Sequence, residues 1–162
     1  MQEYEYSFKV LSIKPYIEYC EKNNYKKESI TFQNRIVYEN KHSENIIARM
    51  TTKKKDGKKT ILFDCKNVGE SHKNLKISDE SIPMKITKGN RKIIDSILEV
   101  LDFYEAANNT RTRYVYEKKG VKFEIDDYVT PKMQVVALEG TKQEVDVVYK
   151  ELKEQINNII ED

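Results

Sequence analysis

Apolar and polar residues alternate at the start of the chain, with Tyr4, Tyr6, Phe8 and Val10 on one side and Glu3, Glu5, Ser7 and Lys9 on the other. A period of two is that of an extended strand. Pro15 suits the first turn of a short helix in which Ile17 and Cys20 share a face, and Asn23-Asn24 marks its stop. Four further strands are predicted at about 28–39, 45–53, 59–66 and 74–85, each alternating or rich in β-branched and aromatic residues. Asn40-Lys41-His42-Ser43 and Asp56-Gly57 read as tight turns, and Gly69 to Lys73 as a longer loop. Between Lys88 and Ala107 the period changes, and Ile93, Ile94, Ile97, Leu98, Leu101 and Tyr104 define one helical face. Three strands then return at about 110–117, 120–127 and 132–139, the first two joined at Lys118-Lys119-Gly120. A last helix opens on Thr141 and Glu144 at capping-box spacing and buries Val145, Val148, Leu152, Ile156 and Ile159.

Several strands carry charge on one face and apolar residues on the other: Asp64 and Lys66 oppose Ile61, Phe63 and Cys65, and Arg111 and Arg113 oppose Tyr114 and Tyr116. On an open sheet such a charged face is the wet one. In a closed barrel it is the lining of a polar lumen, and the apolar face lies outside beneath helices. Periodicity alone favours the open sheet. The two long amphipathic helices, which need an apolar sheet face to cover, favour the barrel.

Composition narrows the function classes. The 162 residues fit one domain, 1–162, with no Pro/Gly/Ser-rich boundary and no internal repeat. No apolar run is long enough to span a bilayer and the first residues lack a signal-peptide pattern, so a cytoplasmic protein without membrane attachment is expected. Basic residues exceed acidic ones by only 29 to 27, and the signs are mixed, which argues against a nucleic-acid partner held by bulk charge. The densest basic run, Lys53 to Lys59, straddles Asp56-Gly57 and reads as a solvated hairpin tip. Cys20 and Cys65 have no metal or redox spacing and read as packed thiols, and His42 and His72 fall in predicted loops with no second ligand nearby. Glycine-rich phosphate loops, a helical HExxH and a Ser-His-Asp order are absent.

Glu3-Tyr4-Glu5-Tyr6-Ser7 is similar to the ExExK signature of the CYTH (triphosphate tunnel) family, with serine where lysine is expected. The resemblance continues through QNRIVYEN, Arg49 in IIARM, Lys66 closing ILFDCK, Arg111-Thr112-Arg113, Asp126 ending VKFEID and Glu139-Gly140 ending VVALEG. It implies a mainly β (α+β) fold, a closed eight-stranded antiparallel tunnel barrel with flanking helices after the first, fifth and eighth strands. Carried over residue by residue, it implies that Glu3, Glu5, Asp126 and Glu139 hold Mg²⁺ or Mn²⁺. Arg49, Lys66, Arg111 and Arg113, with Arg35 and Lys76 by strand parity, would then hold a phosphorylated small molecule, tripolyphosphate or a nucleoside triphosphate. This division suits the chemistry, because these metals prefer carboxylate oxygens and guanidinium forks pair phosphate oxygens.

Three departures fall at chemistry-bearing positions. Ser7 replaces the first-strand lysine, Arg49 stands without a paired arginine between Ile47 and Thr51, and the final ExE reads Ala137-Leu138-Glu139. Lys9 projects from the face of Ser7 and is the candidate to stand in for the lysine, with Glu5 as the second catalytic candidate. The leading expectation is metal-dependent triphosphate hydrolysis. The alternatives are a cyclase acting on a nucleoside triphosphate, a catalytically impaired domain that senses a phosphorylated ligand, and an interaction scaffold; assembly as a homodimer is left open.

Overall fold

The strands close because each long segment finds an antiparallel partner on both edges. The computed structural model describes residues 2–160. Its elements run β1 (Gln2–Val10), α1 (Lys14–Lys22), β2 (Lys26–Asn40), β3 (Ser43–Lys55), β4 (Lys58–His72), β5 (Leu75–Glu80), β6 (Met84–Lys85), α2 (Lys88–Val100), β7 (Phe103–Lys118), β8 (Val121–Thr130), β9 (Met133–Gly140) and α3 (Lys142–Gln155). Pairing proceeds β1–β5–β4–β3–β2–β7–β8–β9 and returns from β9 to β1, a ring of eight antiparallel strands. β6 pairs with β4 at Leu62 and Phe63 and lies outside the ring. Closure removes the exposed sheet edges that would otherwise invite aggregation.

The barrel is apolar outside and charged inside. Phe8, Val10, Phe123, Ile125, Val136 and Leu138 face outward under α1 and α3, in one core with Tyr16, Cys20, Val145 and Leu152. Ala48 and Met50 of β3 pack with Ile94 and Leu98 of α2 in a second core. Each fully buried Phe or Leu contributes roughly 1.5–3 kcal/mol, so the helices are what make the inverted barrel stable. Tyrosines form much of the layer beneath α3. Tyr4 and Tyr6 both donate to Asp146 at 2.7 Å, and Tyr6 stacks on Tyr149 with centroids 4.0 Å apart. Gly120 and Gly140 meet at the end of this wall. Both have positive φ, and a Cβ on Gly140 would run into the Gly120 carbonyl.

Four expected boundaries are corrected. The helix expected to reach Ala107 stops at Val100, because Asp102 adopts φ 60° and turns the chain into β7, which begins at Phe103 rather than near residue 110. Leu101 and Tyr104 share the helical spacing by coincidence; Tyr104 is a strand residue that donates to Glu39 at 2.8 Å. The strand expected over 74–85 breaks at Ser81–Pro83 into β5 and β6, so there are nine strands among the described residues, eight in the ring. The loop expected from Gly69 is strand as far as His72, with the register shift between Val68 and Glu70 absorbing Gly69 as a bulge. His72 therefore ends β4, whereas His42 sits in a turn, 2.7 Å from Asp102. Thr141 precedes α3 without capping its backbone, and the reciprocal capping box forms instead at Thr87 and Asn90 of α2. Both cysteines are free thiols, as expected.

Candidate functional site

Inward-facing side chains of the eight strands enclose a cavity of roughly 360 Å³. Its lining brings together Glu3, Glu5, Arg35, Arg49, Lys66, Lys76, Arg111, Arg113, Asp126 and Glu139, all singled out in the sequence. Lys9, proposed to replace the missing lysine, is exposed and lies outside this lining. Among the described residues the lining also includes Lys53, Glu80, Lys122 and Glu124, making eight cationic and six carboxylate side chains. A wider hollow of roughly 430 Å³ opens beside Glu3, Glu80, Lys122 and Glu139, so this end of the tunnel communicates with the surface.

β1 and β9 supply the acidic wall. Glu5 lies opposite Glu139 in register, and Glu3, Glu5 and Glu139 can each offer an oxygen within 4.8 Å of the others. Lys66 donates to Glu3 at 2.9 Å, and Lys122 is paired with Glu139. Burial, then the hydrogen bond to Glu80, pushes the Glu3 carboxyl up to about 8. Burial would raise Glu80 too, but the hydrogen bond with Glu3 and the charges of Arg49 and Lys66 hold it down at about 2. Within this pair, burial and the surrounding cations favour the proton on Glu3 over Glu80. Glu139 is raised as well, by burial and by the charge of Glu124, against the pull of Lys122. The oxygen-only donor set and the cations already drawn to it fit a hard divalent ion such as Mg²⁺ or Mn²⁺.

These shifts give a testable pH dependence. Between about 4.5 and 8 the folded chain retains a proton at Glu3 that the unfolded chain has released, so stability falls as pH rises through that window. Glu3→Gln is expected to flatten this part of the profile of urea midpoint against pH. An unchanged slope would show that Glu3 is ionised like a surface carboxylate.

The opposite wall, from β2, β3, β7 and β8, is cationic. Arg113 donates to Asp126 from Nε at 2.7 Å and from Nη2 at 2.8 Å, and to Glu124 from Nη1 at 2.8 Å. Arg111 donates to Gln33 and, at 2.7 Å, to the Tyr128 hydroxyl. Arg49 is held by Asp64 and Glu80. Arg35 differs: its Nε donates to Thr51 at 2.9 Å, and among the described residues it makes no ion pair, although its charge acts on Glu124. Burial, then crowding by Arg111, Arg113 and Arg49, lowers its pKa to about 9, which still leaves it charged at neutral pH. Lys53 and Lys76 likewise make no ion pair among the described residues, and Lys53 is lowered by burial and by Arg113.

Asp126 does not join the acidic wall. It is 3% exposed and clamped by Arg113, with Arg111 at 3.7 Å, so the structure separates it from Glu3, Glu5 and Glu139. Ser7 lies directly opposite Ala137, so two of the three departures from the CYTH-like pattern are cross-strand neighbours. Lys53 was hidden within a run that reads as a hairpin tip, although its parity with Arg49 and Thr51 points it inward. Lys122 and Glu124 share the parity of Asp126, a signal present in the sequence. Glu80 stands opposite Lys66 only because β5 begins after a bulge.

No protein-family profile matches the chain, and no curated protein matches it in sequence. Solved structures do match in fold. The PH1012 protein from Pyrococcus horikoshii is 16% identical with a TM-score of 0.77, covering 98% of this chain and 94% of that one. HpAC1 from Hippeastrum, named as a candidate adenylyl cyclase with a dominant triphosphatase activity, is 11% identical with a TM-score of 0.66 over 94% of this chain and 87% of its own. A candidate adenylate cyclase from Vibrio parahaemolyticus is 10% identical, TM-score 0.64, over 99% and 93% of the two chains. At such identities the likeness is one of fold, and the barrel agrees with the CYTH-type tunnel that the sequence resemblance implied. No helix among the described residues is long and apolar enough to cross a membrane.

Proposed function

We propose that the tunnel binds a triphosphate, inorganic or organic, and hydrolyses it with Mg²⁺ or Mn²⁺ as cofactor. The observation that carries this reading is that one cavity holds a three-carboxylate cluster and three half-buried cations, Arg35, Lys53 and Lys76, that make no ion pair among the described residues. Beside walls largely knitted by ion pairs, such cations call for an anionic ligand, and a polyphosphate supplies charge along the length of the tunnel. Glu3, Glu5 and Glu139 are the residues to hold the divalent ion, which when bound neutralises phosphate charge and lowers the pKa of coordinated water. The chain's own contribution is positioning: Arg35, Arg111 and Arg113 orient phosphoryl oxygens, and Lys66 and Lys122, now held by Glu3 and Glu139, would be free to turn to the ligand if those carboxylates held the cation. The surrounding protein limits water, so these charges act more strongly than on an open surface. The triphosphatase and cyclase descriptions of similar folds favour the same ligand class.

Phosphate release from tripolyphosphate and from a nucleotide panel, with either metal, tests the proposal. Arg35→Ala is expected to weaken tripolyphosphate binding roughly ten- to hundredfold, the equivalent of one charge-assisted hydrogen bond, without unfolding the barrel, since Glu124 keeps its ion pairs with Arg113 and Lys122. Unchanged affinity by calorimetry would remove Arg35 from the site. The facing of Ser7 and Ala137 favours a second reading, a sensor that binds triphosphate without turnover. Tight binding with no phosphate release in any divalent metal would select it.

A further inference from the structure

Helix α2 is charged against its own dipole. Lys88, Arg91 and Lys92 occupy its N-terminal half and Asp95 and Glu99 its C-terminal half, with no acidic residue in the first turn and no basic residue in the last. A helix N-terminus favours anions and its C-terminus cations, so each end carries the unfavourable sign. Like charges also recur at i, i+4, as Lys88 with Lys92 and Asp95 with Glu99, which costs further stability in an isolated helix. Arg91 is paired with Asp95 at 3.3 Å, but Lys88, Lys92 and Glu99 have no ion-pair partner among the described residues.

Beside this charged flank runs an apolar row with nothing over it. Ile94 and Leu98 face the barrel, whereas Ile93, Ile97, Val100 and Leu101 are 58%, 46%, 75% and 52% exposed. The flank reads plus, plus, minus, minus along the helix, a pattern that is complementary to itself when reversed. We infer that α2 is a self-association surface on which two copies of the chain pack their α2 helices antiparallel about a two-fold axis. That arrangement covers the apolar row with its own copy, sets Lys92 of one chain beside Glu99 of the other, and brings Lys88 to the negative C-terminal end of the second helix. It gives Lys92 and Glu99 the partners they lack in the isolated helix. A parallel alignment would place like charges together.

A helix of 13 residues is about 20 Å long, so the contact is small and the dimer should dissociate on dilution, with a dissociation constant on the order of micromolar or weaker. Sedimentation velocity over a concentration series is expected to show a monomer–dimer equilibrium that weakens in salt. Lys92→Glu should raise the dissociation constant at least roughly tenfold while leaving the monomer's melting temperature unchanged or higher, because it removes a charge from the wrong end of the dipole. Glu99→Lys should do the same, and the Lys92→Glu, Glu99→Lys double variant should restore dimerisation, since the reversed pattern is again self-complementary. Val100→Asp, at an exposed position remote from the tunnel lining, should abolish it. A monomer at every concentration, or a double variant no better than either single, overturns the inference.

Discussion

Arg113→Met is expected to destabilise the barrel by about 3–5 kcal/mol, the usual cost of removing one partner from a buried ion pair. Arg113 closes a ring of charges. It is the two-pronged donor to Asp126, which is 3% exposed, and the single-bond donor to Glu124. Burial would raise the Glu124 carboxyl, but Arg113 first, then Lys122 and Arg35, hold it down at about 2. Without Arg113, Asp126 keeps only Arg111 at 3.7 Å, and Glu124 keeps Lys122 at 3.6 Å. Two carboxylates are then left in a space with little water, and one must take up a proton or open the wall. The Arg113→Met, Asp126→Leu double variant should recover much of the loss, because apolar replacement of a whole buried pair is often neutral or stabilising. Urea denaturation reads both effects. A loss below about 1 kcal/mol in the single variant would place the pair in solvent, and the tunnel would then be far wetter than described.

The same ion pairs explain what the sequence made legible. Alternation is a local property, so the strand faces of Glu3 and Glu5 or of Arg111 and Arg113 could be read from neighbours two residues away. Which way the charged face points is not local. An open sheet and an inverted barrel share one pattern, and only the pairing of β1 with both β5 and β9 makes the charged side an interior. Partner choice is equally non-local. Asp126 carries the residue type of a metal ligand, but its register opposite Arg113 commits it to a guanidinium. Lys53 escapes a reading by composition, because the basic run around the Asp56-Gly57 turn masks its parity. Helix length failed at Asp102, where a left-handed backbone at a non-glycine residue ends α2 without the glycine that usually marks such a stop.

Joint replacement of Ser7 by lysine and Ala137 by glutamate is expected to raise tripolyphosphate turnover by roughly a hundredfold or more, the range in which a positioned proton acceptor contributes. The two positions face each other across β1 and β9, one step along from Glu5 and Glu139 on the same inner face. Ala137 also lies opposite Glu124 of β8. A carboxylate added there alone would stand between Glu124 and Glu139, where Glu139 is already raised by burial and by the charge of Glu124. Ala137→Glu by itself should therefore lower stability at neutral pH and weaken binding of the anion. Ser7→Lys by itself adds a cation beside the acidic wall, competes with Lys66 and Lys122 for Glu3 and Glu139, and should raise turnover only modestly. Together the pair is neutral, each charge satisfying the other across the strands, and the lysine amine is held at the wall where water must be deprotonated. Steady-state phosphate release, with tripolyphosphate affinity measured in parallel, separates the outcomes. If the double variant binds tripolyphosphate and divalent metal as the natural chain does but turns over no faster, the missing lysine and glutamate are not what sets the rate, and the attacking water must be handled from another part of the tunnel.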